Sequence, residues 1–474
     1  MDKFFKLKEN GTNVKTEIIA GITTFLTMAY IISVNPSILS VAMGLGLDGA
    51  AKLDMFNSIL VATILAAIVG TLIMGLVANV PFALAPGMGL NAFFTYTVCL
   101  GMGISWQTAL GVVFICGVFS IIITLTKIRK MLLVAVPKTL QHAIGGGIGL
   151  FIAYIGFKNA HILDFTVEPF NWVDKANGVA KDVIPSIVNF QDPVTLVALI
   201  GLIVTIILML RKVKGAMLMG IVAATVAGIF IGGLTKMGAG GITFAIPSVE
   251  PTFLKLDLSW LIDPIQVVKL LPIVLAFILS DTFDTLGAFL GTGKRAGIFD
   301  KKDEAALESG KGMHSKLEKA LFADASATAT GALFGTSNTT VYIESAAGIS
   351  EGGRTGLTSV VVALLFMLCL PLSSIIGLVP LAATAPALIV VGILMMAPMK
   401  DLQWDNFEEA VAAFFIVVVM PFTFSIANGI AIGFLFYVIT KLVMGKAKDV
   451  HLIMYIVTIL FVLEFVLKAL GIIQ

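Results

Sequence analysis

Apolar residues run in stretches of 16–25 along the whole chain, and most charged residues lie in the segments between them. Runs of this length predict membrane-spanning helices. They fall near 17–40, 56–79, 84–100, 107–127, 138–158, 193–210, 215–235, 265–290, 317–336, 338–350, 355–378, 380–398, 409–424 and 425–443. A further apolar stretch at 451–472 predicts an additional C-terminal helix. Pro421 and Asn428–Gly429 interrupt the run from 409 to 443, which could instead be a single span.

Two of these segments make poor helices. The third carries Pro81, Pro86, Gly87 and Gly89, and the tenth is short with a β-favouring run, Thr339 to Ile343. Proline removes a backbone donor, and lipid cannot satisfy the groups so freed. Such segments must therefore be buried in protein or line a cavity. Each is third in its half of the chain, the position where a transporter's midplane binding site is to be sought. Val136–Pro137 and Gly149 recur 243 residues on as Val379–Pro380 and Gly392, which suggests two inverted halves of seven spans.

Composition agrees with the pattern: 58% of the 474 residues are hydrophobic and 13% charged, about half the charge of a soluble domain. Lys3, Lys6, Lys8 and Lys15 place the N-terminus in the cytoplasm. Fourteen spans then put Lys127, Arg129, Lys130, Arg211, Lys212, Lys214, Lys294, Arg295, Lys301 and Lys302 on the same side. The expected setting is a cell membrane. A net charge of +2 gives no reason to expect a nucleic-acid partner. The three cysteines have no metal-binding spacing, and no cofactor or nucleotide-hydrolysis motif is present.

The candidate chemistry lies in two segments. Asp281 and Asp284 stand three residues apart on one face of the eighth span, and Glu344 follows the β-favouring run of the tenth. An aspartate at mid-membrane costs about 2.5–3.5 kcal/mol on insertion scales, so these acids call for a reason. A hydrogen-bonded structural network is one; for Glu344, satisfaction by its own half-helix N-terminus is another. No Lys or Arg lies within two turns of them along the chain, so a proton, a cation or the substrate must neutralise them. Asn91 offers two donors and an acceptor in the third span, where the N–H groups of Ala92 and Phe93 would head a half-helix. Phe93 could stack on a flat heterocycle, although packing is the commoner role. Asn338, Thr339 and Thr340 could contribute polar groups too; Asp324 is expected mainly to cap or bond a helix.

The segments TTFLTMAYIISVNP, ALAPGMGLNAFF, DTFDTLG and TTVYIESAAGISEGGRTGLTS together resemble the AzgA-like branch of the nucleobase–ascorbate transporter family, the hypoxanthine/guanine/adenine permeases. The resemblance runs from about residue 10 to the final helix. It implies an all-α polytopic fold of fourteen spans as seven-plus-seven inverted repeats, with short strands breaking spans three and ten. A core domain (1–127 and 241–378) would hold substrate, and a gate domain (128–240 and 379–474, with the C-terminal helix) would move against it. It further implies that Asp281, Glu344 and Asn91, with Ala92, Phe93 and Ile343 beside them, bind a purine base. Asp284 matches the second acid of that branch. Together with Asp281 and Glu344 it would carry the coupling ion, H⁺ or Na⁺. Thr285 stands where uracil and xanthine relatives often carry His, which favours the purine branch. Two copies could pair as a homodimer. The rival readings are an inorganic-anion exchanger of the related sulphate/bicarbonate fold, a channel, or an intramembrane enzyme using the Asp281–Asp284 pair. The third is the weakest, since adjacent turns of one helix cannot flank a scissile bond.

Overall fold

The computed structural model describes residues 2–126, 135–167, 172–174, 179–180, 183–188, 190–235, 244–294, 296–300, 303, 313 and 315–470. Lys127, Arg129, Lys130, Arg295, Lys301, Lys302 and the C-terminal Gln474 lie outside them. Among the described residues nine helices are long and apolar enough to cross a membrane, and Ala216–Phe230 and Leu452–Leu467 are apolar but shorter.

The first half comprises α1 (Val14–Met28), α2 (Ile31–Met43), α3 (Gly49–Ile73), strand β1 (Leu84–Pro86), α4 (Met88–Ala92), α5 (Trp106–Leu125), α6 (Lys138–Asn159), α7 (Pro193–Leu210) and α8 (Ala216–Phe230). Between α6 and α7 lie strands β2 (Leu163–Val167), β3 (Trp172–Asp174), β4 (Val179–Ala180) and β5 (Val183–Ile187), with β2 paired to β5 and β3 to β4. The second half comprises α9 (Pro264–Ala288), α10 (Lys316–Phe334), β6 (Thr339–Val341), α11 (Ser345–Ser350), α12 (Gly356–Cys369), α13 (Leu381–Met395), α14 (Phe407–Phe422), α15 (Ile426–Val443) and α16 (Leu452–Ala469).

Local sequence explains the boundaries. Asp192 and Asp263 cap α7 and α9 through their side chains, each followed by proline at the first helical position. Ser315 and Glu318 form a reciprocal capping box on α10. Helix α12 is capped from across the chain: Glu17, fully buried in α1, accepts from Arg354 N–H (2.8 Å), Thr358 N–H (3.1 Å) and Thr358 Oγ1 (2.6 Å). In the connection before α9, the Ser259 N–H and hydroxyl, with Thr108, hold Asp257 below the usual carboxylate range.

The run from 409 to 443 is two helices. Chain reversal occurs at Thr423–Ser425, where Phe424 takes a left-handed φ of 54°, and Ser425 caps α15. Phe415 stacks on Phe436 with ring centroids 4.0 Å apart, as in an antiparallel pair. Helix α16 likewise folds back on α15, with Phe434 and Phe461 meeting at 6.5 Å.

Dense packing divides the helices into two sets. One contains α1–α3, α5, α9, α10 and α12; the other contains α6–α8 and α13–α15. In the second set α6 crosses α13 at paired glycines. A Cβ on Gly149 would stand 2.8 Å from the Gly392 carbonyl oxygen, and one on Gly392 would stand 2.6 Å from that of Gly149. Alanine at either would force the helices apart. Of the Gly145–Gly147 run, Gly146 and Gly147 press on Met399 and Met420, while Gly145 has open space.

Candidate functional site

At the centre of the first set lies a two-stranded antiparallel ladder, with Leu84 opposite Val341, Ala85 opposite Thr340 and Pro86 opposite Thr339. Proline prevents helix formation on one strand, and β-branched residues favour extension on the other. Gly87 N–H extends the ladder to the Asn338 carbonyl (2.8 Å), and Tyr342 N–H extends it to that of Ala83 (2.9 Å). Neighbouring side chains satisfy the outer backbone groups. Thr71 Oγ1 accepts from Leu84 N–H at 2.9 Å, Ser345 Oγ accepts from Ala83 N–H at 3.0 Å, and Thr328 Oγ1 donates to Thr339 O at 3.0 Å. Irregular backbone is thereby sealed within protein, as a lipid environment requires.

Each strand runs into a half-helix. Helix α4 begins at Met88 and continues as a wider helical stretch, Phe93–Gly101; α11 begins at Ser345. Because the strands are antiparallel, the helices leave in opposite directions and their positive ends converge on the ladder. The expected roles of Ala92 and Phe93 need correction here. Both lie in the second turn or beyond, and Phe93 N–H bonds back to the Gly89 and Leu90 carbonyls. The Phe93 ring is fully buried against Phe277, with centroids 4.7 Å apart, so it acts in packing.

Glu344 stands between β6 and α11. No side-chain hydrogen bond caps α11. The carboxylate instead accepts from the Tyr30 hydroxyl at 2.6 Å, from the bend joining α1 to α2. The next residue along the chain toward β6, Ile343, is 54% exposed. The Tyr342 hydroxyl donates to the Pro86 carbonyl at 2.6 Å, and Asp284 on α9 is half-buried. Asp281, one turn earlier on α9, is buried and lines a cavity of about 10 Å³ with Asp324, Thr124 and Ser120, room for about one water.

Asp324 braces the strand. The box at Ser315 caps α10, while Asp324 accepts from Thr285 Oγ1 (2.8 Å) and from Val341 N–H (3.0 Å). Thr285 also meets the Thr340 hydroxyl at 2.9 Å, so both threonines tie β6 to α9. The Thr339 side chain is buried on the opposite face, toward Gly70 and Gly331. Asn91 is fully buried: its amide oxygen accepts from Ser337 Oγ, and Nδ2 lies 3.4 Å from the Pro86 carbonyl. Its amide thus joins the two strand-bearing segments. The sequence reading passed over Tyr30 and Tyr342. Both stand within quoted motifs, but nothing along the chain shows that Tyr30 meets Glu344 or that Tyr342 reaches the Pro86 carbonyl. Among the described residues no group of three His, Cys, Asp or Glu side chains could hold a metal ion.

A family model described as "Permease family" matches residues 15–432. A permease of Methanocaldococcus jannaschii is 46% identical, covering 98% of this chain and 98% of its own. The guanine/hypoxanthine permease PbuG of Bacillus subtilis is 41% identical (98% and 99% covered), and the adenine permease AdeQ of Escherichia coli 39% (98% and 96%). Among solved structures, the transmembrane domain of a cyanobacterial bicarbonate transporter, BicA, superposes with TM-score 0.56 at 16% identity, covering 88% of this chain and 97% of that one. SLC26A9 superposes with TM-score 0.58 at 13% identity, covering 91% and 66%. At such identities the likeness extends to the fold alone.

Proposed function

The chain belongs to the Permease family, and on that premise we propose that it is a secondary-active permease for purine nucleobases, driven by proton symport. The observation that carries the reading is the sealed ladder flanked by converging half-helices, with the Glu344 carboxylate held by Tyr30 where β6 passes into α11. Carboxylates accept hydrogen bonds from the ring N–H groups of a purine. Glu344 and Asp281 serve as the base-binding acids, and Asp284, one turn along α9 from Asp281, carries the coupling proton. Tyr30 orients Glu344.

Alternating access follows from the two helix sets. The set bearing the ladder moves as the core, and the set built on the α6–α13 crossing serves as the gate. Contacts between the sets at both ends would then make and break. Thr97 Oγ1 donates to the Phe424 carbonyl (2.6 Å) and Asn159 Nδ2 to the Tyr96 hydroxyl (3.0 Å) at one end; Lys214 pairs with Glu351 (2.8 Å) at the other. The N-terminus lies in the cytoplasm of a bacterial cell with the chain in its inner membrane. The shared fold of bicarbonate transporters does not carry their substrate with it, because carboxylates at the ladder would repel an anion.

The test is uptake of radiolabelled hypoxanthine, guanine, adenine and xanthine into cells lacking their own permeases, with and without a protonophore. Saturable uptake of purines that collapses with the protonophore is expected. Uptake of none of them, or uptake indifferent to the gradient, would count against the reading.

A further inference from the structure

Acids alone cannot distinguish the bases this family carries. Hypoxanthine and guanine present an acceptor, O6, where adenine presents a donor, the N6 amino group. A carboxylate only accepts, whereas an amide offers both a donor and an acceptor. The relatives named for 6-oxo and for 6-amino purines are almost equally similar to this chain. A group able to read position 6 must therefore be found in the structure itself.

Three buried asparagines lie on the segments that build the ladder or brace it. Asn91 is committed to Ser337 and to the Pro86 carbonyl. Asn35 donates through Nδ2 to Thr63 (2.7 Å) and Thr336 (2.9 Å), fastening α2 to α3 and to the segment before β6. This is the pattern of amides that join helices. Asn338 differs. It is fully buried, yet among the described residues neither its Nδ2 nor its Oδ1 has a hydrogen-bond partner.

Its backbone is fixed, because its carbonyl accepts from Gly87 N–H at 2.8 Å. Alternation along an extended chain puts Asn338 on the same face as Thr340, whose hydroxyl meets Thr285 of α9. Asn338 therefore belongs to the face of the ladder turned toward the helix that carries Asp281 and Asp284. Leaving both ends of a buried amide unpaired is costly, and pairing them with a ligand relieves that cost.

We propose that Asn338 reads the substituent at C6 of the purine, its amide turning one way to donate to a 6-oxo group and the other way to accept from a 6-amino group. The inference rests on the purine-permease reading. It assigns the N–H groups of the base to the acids and the C6 position to this amide. A single residue thus admits both chemical classes and gains nothing from a base bare at C6.

Calorimetry on the purified full chain, with hypoxanthine, adenine and unsubstituted purine as ligands, tests it on wild type, Asn338→Ala and the isosteric Asn338→Leu. Both variants should bind hypoxanthine and adenine roughly ten-fold more weakly. Unsubstituted purine should bind within about two-fold of wild type, which also shows the variants to be folded. Equal loss of all three ligands would mean a structural amide, and no loss of any would mean an amide away from the base; either result overturns the inference alone. Failure of the wild type to bind any of the three would overturn the purine-permease reading together with it.

Discussion

Tyr30→Phe removes one oxygen and leaves the ring in place, and so isolates what the Tyr30 hydroxyl does for Glu344. That hydroxyl donates to Glu344 Oε1 at 2.6 Å, a short bond of the kind made to a charged acceptor. Tyr30 is itself buried, and no other side-chain donor to Glu344 is seen among the described residues. Hydrogen bonds to charged groups contribute about 1.5–3 kcal/mol, which corresponds to roughly ten- to a hundred-fold in an equilibrium constant. Glu344 is only half-buried, so water can replace part of the lost bond, and the lower end of that range is expected. The ring of Tyr30 packs near Tyr342, with centroids 6.5 Å apart, and phenylalanine preserves that contact. Hypoxanthine affinity should therefore fall about ten-fold while expression and thermal stability stay near wild type. The assay is calorimetric titration of purified protein beside a thermal melt of the same preparation. Wild-type affinity in Tyr30→Phe would refute the claim that this hydroxyl positions the binding carboxylate.

Other outcomes follow from the same geometry. Glu344→Gln should abolish purine uptake while leaving membrane insertion intact, since an amide cannot act as a full-charge acceptor; wild-type transport would remove Glu344 from the site. Asp281→Asn should lose high-affinity binding, whereas Asp284→Asn should bind within a few-fold of wild type and lose gradient-driven accumulation. Calorimetry paired with counterflow separates the two quantities, and equal loss of binding in both variants would show that the aspartates act as one unit. A reporter fused after Gln474 should be active only outside the cytoplasm, because α16 runs back along α15 and its 18 residues span about 27 Å. Cytoplasmic activity would mean that α16 does not cross.

Much of the fold was readable because a bilayer leaves few choices. Prolines 81 and 86 and the run Thr339 to Ile343 marked the broken segments, since their backbone could be satisfied only inside protein. What joins those segments was not readable. The pairing of Leu84 with Val341 spans more than half the chain, and no local pattern encodes its register. The acids stood out as costly in an apolar context, but their partners did not. Tyr30 looks like any aromatic in a span until the bend at α1–α2 brings it to Glu344. Placing the half-helix start at Ala92 failed for a definite reason: Gly87, extended at φ −75° and ψ 127°, releases the chain into helix at once, four residues earlier. Asp324 looked like a capping residue from its sequence position, yet Ser315 and Glu318 had already taken that role, leaving its carboxylate for β6 and α9.

The central claim is that this ladder carries a purine base together with a proton. Purified protein in sealed proteoliposomes, given an inward proton gradient and radiolabelled hypoxanthine, measures both at once if internal pH is followed by a trapped dye. The account predicts hypoxanthine accumulation above equilibrium, a matching internal acidification that depends on hypoxanthine, and no competition by sulphate or bicarbonate. Equilibration of hypoxanthine without proton entry, or competition by those anions but not by guanine or adenine, would contradict it.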